Sequence, residues 1–193
     1  MRLSSLLVPL VLAAALGGCF GGKAPATLYT LTPSAADPGS ISRTASAGQA
    51  VTIAVPVIEK ALRTTRVAVD LGATQVQYVK DVQLVDTPDR LFQQLVSETL
   101  RRTTGRVVLD PNQSTLDPGV LVTGQMQKFN YDSSTGQVIV QYDAALSSDG
   151  GRQIESRRFT AMAPSDGTSA TVGSALNTAA NQVAADVARW IGG

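Results

Sequence analysis

Apolar positions along the chain change their spacing three times. They run almost without a break from Leu6 to Leu16, alternate with polar residues in several short runs from Val51 onward, and recur every three or four residues in two longer stretches. Alternation is the mark of a half-buried strand, and three-to-four spacing is the mark of an amphipathic helix. In VTIAVPVI, Val51, Ile53, Val55 and Val57 alternate on one side, which predicts a strand with Pro56 at an edge, a bulge or the strand's end. RVAVDL places Val67 and Val69 on one face, and TQVQYVKDVQLV does the same for Val76, Tyr78 and Val82, with a turn at Gly72 and Ala73 between the two runs. Arg106 to Leu109 reads as a further short strand, leading into the DPNQSTLDPG loop.

Three longer strands are predicted over residues 120–131, 138–146 and 153–161, joined by DSSTG and SSDGG as an antiparallel meander. In the second of them Val138, Val140, Tyr142, Ala144 and Leu146 share a face, with Gln141 and Asp143 opposite. In the first, the apolar phase slips between Met126 and Phe129, which calls for a bulge near Gln127.

DTPDRLFQQLVSETLRRTTG carries the signals of a helix: Thr87 at the N-cap, Pro88 at the first helical position, Asp89 at the positive end of the dipole, Arg101 and Arg102 at the negative end, and Gly105 as a stop. Leu91, Phe92, Leu95, Val96 and Leu100 form its apolar stripe. A second helix, from Ser169 to Trp190, carries Val172, Leu176, Ala179, Val183, Val187 and then Trp190 or Ile191 at helical spacing. Nothing repeats at a fixed period. The elements predict an α+β fold: a mixed, largely antiparallel sheet with the two main helices packed on one face.

The continuous run at the start needs a different explanation. Spanning a bilayer takes roughly 20 apolar residues, and Leu6 to Leu16 falls short of that. Arg2 before the run and small residues after it match an export signal. Ala13-Ala14-Ala15 could serve an ordinary signal peptidase, whereas Leu16-Gly17-Gly18-Cys19 matches a bacterial lipobox, cut between Gly18 and Cys19. Cys19 is the one cysteine of the chain, and acylation accounts for a thiol that has no disulfide partner. A triacylated N-terminus gives durable attachment without a membrane span. Cleavage there removes 18 of the 193 residues and leaves 175, enough for one domain. The chain then divides into a signal over 1–18, a lipidated N-terminus and Gly/Ala/Pro/Ser/Thr-rich tether over 19–48, and a single α+β domain over 49–193. Within the tether Leu28-Tyr29-Thr30-Leu31 is an apolar island able to pair as a short strand.

Composition removes most chemistry. There is no histidine, hence neither the usual general base nor the commonest metal ligand. No nucleophile motif or phosphate loop is present. Asp81, Asp86 and Asp89, with Asp110 and Asp117, lack the spacing of a calcium loop, and Asp86 and Asp89 have a local helix-start role. We expect no enzyme, no metal and no cofactor beyond the diacylglycerol and acyl chains on Cys19. Loss of Arg2 turns 16 basic and 15 acidic side chains into 15 of each, a balance that argues against a nucleic-acid partner. Arg157, Arg158 and Trp190 remain as candidate partner or lipid contacts. The paired arginines read first as solvated, and Trp190 reads first as core and second as an interface anchor.

LYTLTP after the tether, VTIAVPVI, VQYVKDVQLVDTPDRLFQQLVSETL ahead of GRVVLDP, then GQMQKFNYDSSTGQVIVQYDAAL, FTAMAP and the Ala-rich last helix, over most of residues 27–190, resemble the ABC-type transport auxiliary lipoprotein family, which includes the paraquat-inducible lipoproteins. Members often carry Arg-Trp before the first helix; this chain has Leu84 to Arg90 there without tryptophan. The resemblance implies a non-enzymatic lipoprotein that works with an MCE (mammalian cell entry) protein and an ABC permease and ATPase to move phospholipid or other hydrophobic molecules between two membranes. It also implies ring-like self-association in some members. Lipoproteins retained at the inner membrane resemble one another in having Asp after the acylated cysteine. Phe20 stands there instead, which implies the periplasmic face of the outer membrane. The competing readings are a structural or assembly companion of an outer-membrane β-barrel and a lipid carrier acting alone.

Overall fold

A computed structural model describes residues 27–72, 74–113 and 119–192. Gly18, Cys19, Ala73 and Asp117 lie outside the described residues, and so do the signal and its cleavage site. The chain forms β1 (Leu28–Tyr29), β2 (Val51–Ile53), β3 (Val57–Ile58), β4 (Arg66–Asp70), β5 (Val76–Leu84), α1 (Pro88–Thr103), β6 (Val108–Leu109), β7 (Val120–Asp132), β8 (Gln137–Ser148), β9 (Gln153–Pro164) and α2 (Ser169–Gly192). Short 3-10 turns at Lys60–Leu62 and Asp149–Gly151 complete the described elements.

One mixed sheet holds all nine strands, with β7 as its spine. Along one side of β7 runs β8, antiparallel, and β9 pairs antiparallel with β8. Along the other side β2, β3 and β4 stand end to end, all parallel to β7, with Val51 opposite Val120, Val57 opposite Gln125 and Ala68 opposite Asn130. Proline has no N–H to continue a ladder, and the pairing breaks at Pro56. The turn at Lys60–Leu62 then takes up the residues between β3 and β4. β6 flanks β2, β5 pairs antiparallel with β4, and β1 lies parallel to the end of β5.

The expected phase slip is real: the β7–β8 register shifts between Met126 and Lys128, leaving Gln127 as the bulge. Met126 and Phe129 therefore both reach the core at 0% exposure, although three positions separate them. Two expectations about phase fail. Val51, Thr52 and Ile53 are all buried, so β2 is covered on both faces of the sheet, whereas Val55 and Val57 are exposed past the break. In β5, Val76 is exposed and the buried set is Val79, Val82 and Leu84. Asp81 adopts a left-handed φ of 58°, which shifts the alternation in the middle of that strand.

Both helices cover one face of the sheet. All five residues of the predicted α1 stripe are buried, and Phe92 meets Tyr142 of β8 edge-on with ring centroids 5.1 Å apart. Thr87 occupies the N-cap of α1 but makes no side-chain cap; the Asp86 carboxylate accepts the Thr87 N–H at 2.7 Å instead. On α2, Val172, Leu176, Ala179, Val183, Val187 and Ile191 all point into the core.

The folded unit starts before residue 49. β1 falls in the segment read as tether, and residues 31–37 continue from it along the helices. Tyr29 seats its ring against Gly173, where an added Cβ would come within 2.2 Å of the ring, and its hydroxyl donates to the Ser169 carbonyl at 2.7 Å. Asn181 then pairs with the extended chain as a neighbouring strand would. Its Nδ2 donates to the Thr32 carbonyl and its Oδ1 accepts from the Ser34 N–H, while Asn177 Oδ1 accepts from the Thr32 N–H. Arg102 donates to the Ala35 carbonyl at 2.9 Å. Backbone groups that a tether would leave to water are satisfied by side chains of the domain.

Candidate docking surface

Among the described residues the twelve of β9 pair on one side only, with β8. Phe159, Ala161 and Ala163 are buried against the helices, but every residue from Gln153 to Arg158 is exposed, so the first half of this edge strand is open on both faces. Arg157 lies opposite Ala144 and Arg158 opposite Asp143, which turns them to the helix side and the open side respectively.

Helix α2 ends beside this strand. Trp190 is half-buried and its ring lies 5.6 Å from that of Phe159, tilted by 54°. Arg157 sits 5.8 Å from the centroid of the Phe159 ring, on its cation-π side, and makes no ion pair among the described residues. With Arg158, Thr160, Asp186 and Arg189 these residues line a recess of about 400 Å³. Arg189 is paired with Asp186 at 2.7 Å.

On the open face Arg158 grips Asp143 with two nitrogens, at 2.6 and 2.7 Å. This bond holds the Asp143 carboxyl below the usual carboxylate range. The bulge contributes as well, because Gln127 donates to the same carboxylate at 3.1 Å. Arg158 is thus committed to its own sheet, while Arg157 and Trp190 offer a cation and an indole to an incoming group. The structure brings the three candidates into one neighbourhood and divides them between two faces. Sequence reasoning finds Tyr29 as part of an island able to pair as a short strand, which β1 is, but misses its seat at Gly173 and the contacts of Asn177 and Asn181; the signal for these is a pair of asparagines four residues apart on the last helix.

The remaining candidates have local duties. Arg101 and Arg102 bind the Val108 and Ala35 carbonyls and Glu98. Asp81 forms the irregularity in β5 and Asp86 starts α1. No three His, Cys, Asp or Glu side chains gather at a point where they could hold a metal, among the described residues. No described helix is long and apolar enough to cross a membrane.

The fold is shared with solved structures. A Xanthomonas campestris protein of the DUF330 family superposes with a TM-score of 0.69 at 15% identity, over 86% of this chain and 95% of that one. An uncharacterized protein does so with a TM-score of 0.62 at 15% identity, over 78% and 96%. No curated protein matches the sequence. The family model for the ABC-type transport auxiliary lipoprotein component matches residues 29–188, from the Tyr29 seat to the last turns of α2. The chain therefore belongs to the family of ABC-type transport auxiliary lipoprotein components, a family of transport accessories and not of enzymes.

Proposed function

We propose that the protein is acylated at Cys19 after cleavage behind Gly18, is held on the periplasmic face of the outer membrane, and docks an MCE-domain protein of an ABC transport system through the free half of β9. Its cargo would be phospholipid or another hydrophobic molecule passing between the two membranes. The observation that carries the docking part is an edge strand open on both faces beside an arginine that makes no ion pair among the described residues and a half-buried tryptophan. Unpaired N–H and C=O groups along such an edge are a template for an added strand. Trp and Arg are the residues most often found to carry interface energy. The charges of Glu155, Arg157 and Arg158 keep the same edge from pairing indiscriminately.

Co-purification from detergent extracts tests the proposal. An MCE protein should accompany the native chain and be depleted by at least about tenfold with Arg157→Glu combined with Trp190→Ala, a loss of roughly 1.4 kcal/mol or more in binding. Recovery of an outer-membrane β-barrel in its place would favour an assembly companion and refute the transport reading.

A further inference from the structure

We propose that the β1 edge of the sheet is the membrane-facing surface of the protein, held against a lipid surface by a leader of eight residues, while the Trp190 recess is turned away from the bilayer. This rests on the acylation of Cys19 proposed above. The chain enters the described fold at Thr27, and the next residue already pairs with β5. From Cys19 to Thr27 are eight residue steps, a reach of at most about 29 Å when fully extended. Had the tether run to residue 48, thirty residues could reach about 100 Å and the domain could turn freely.

The point of entry is fixed by three contacts from different elements. Val85 donates its N–H to the Tyr29 carbonyl at 2.9 Å, the Tyr29 hydroxyl bonds to the Ser169 carbonyl, and the Tyr29 ring fills the notch at Gly173. At this same edge Leu28 and Val85 are 51% and 50% exposed, two large apolar side chains left uncovered by the described residues. An anchored acyl chain brings lipid to within a short leader's length of both, and burying apolar area in the bilayer boundary is favourable. Opposite lies the docking end. Gly173 and Trp190 sit on one helix, roughly 25 Å apart at 1.5 Å per residue, so the partner-facing recess points away from the lipid.

Energy transfer in proteoliposomes tests the orientation. Acylated full-length protein carrying Leu28→Cys, Val85→Cys or Ile154→Cys, each at an exposed position, is labelled with a donor and reconstituted in phosphatidylethanolamine/phosphatidylglycerol vesicles containing a headgroup acceptor lipid. An acylated Cys19 is a thioether and takes no label. Transfer should be at least about twofold greater from positions 28 and 85 than from 154, and a 20-residue Gly/Ser insertion after Gly22 should abolish the difference. Equal or reversed transfer in acylated protein overturns the orientation, as does a gradient that survives the insertion. An N-terminal peptide that lacks acyl mass overturns the anchor reading itself, and this one with it.

Discussion

Gly173 is where helix propensity and packing disagree. Alanine is favoured over glycine inside a helix by about 1 kcal/mol, yet its Cβ would drive into the Tyr29 ring. We expect Gly173→Ala to lower stability by about 1–3 kcal/mol, the range for overpacking, and to open residues 28–37 to proteolysis. Thermal melting and limited digestion would check this, and a rise in the melting temperature would refute the seat. Asp166 offers a test by pH. Its carboxylate accepts from the Thr171 and Thr168 hydroxyls and from the Thr168 N–H at the start of α2, and the Thr171 bond leads in pulling its pKa down to about 2. A depressed carboxyl stabilises the fold above its unfolded pKa, and that contribution disappears as the pH falls through the folded value. The stability gap between the native chain and Asp166→Ala should therefore be full above about pH 4 and close as the pH approaches 2. Melts between those limits would show it, and a gap that is constant with pH would contradict it.

At the scale of the element, β7 shows how a single residue sets the facing of the rest of its strand. In a regular strand of the same length, alternation from Met126 would turn Phe129 and Tyr131 off the core and onto the wet face, whereas deleting Gln127 would join the two registers with Phe129 still inward. The deletion should therefore leave cooperative unfolding in place, and Gln127→Ala, which keeps the bulge and loses one hydrogen bond to Asp143, should cost about 1 kcal/mol by denaturant titration. Phe92 ties α1 to β8 through the ring of Tyr142, and Phe92→Ala should cost about 3–5 kcal/mol by denaturant titration. Both helices and the meander were legible because each buries one face, so periodicity maps directly onto burial. β2 and β5 were legible as strands but not in their facing, since residues buried on both faces of β2 show no alternation and a backbone irregularity at Asp81 breaks the count in β5.

For the whole molecule the decisive contacts join residues about 140–150 positions apart, where Thr32 and Ser34 meet Asn177 and Asn181. They turn part of a low-complexity segment into a strap. Asn181→Ala removes both contacts of its amide to the strap backbone and leaves the Thr32 carbonyl and the Ser34 N–H without these partners, at a cost of about 1–3 kcal/mol. Hydrogen exchange should then rise in residues 32–37 and stay unchanged in α1 and β8. Faster exchange throughout the domain would mean that the strap holds more than itself.

By itself the sequence determined the class of fold, the two helical stripes, the meander and the bulge near Gln127, and it carried the absence of histidine. These are local properties, written in spacing and residue type. The tertiary structure alone decided that residues 32–37 are bound along the helices, that Arg157 makes no ion pair among the described residues while Arg158 is bound to Asp143, and that the Tyr29 seat and the Trp190 recess occupy opposite ends of α2. Each depends on which distant residues share a contact. A chain shows its periodicity before it folds, but neighbours far apart along it exist only once the core has closed.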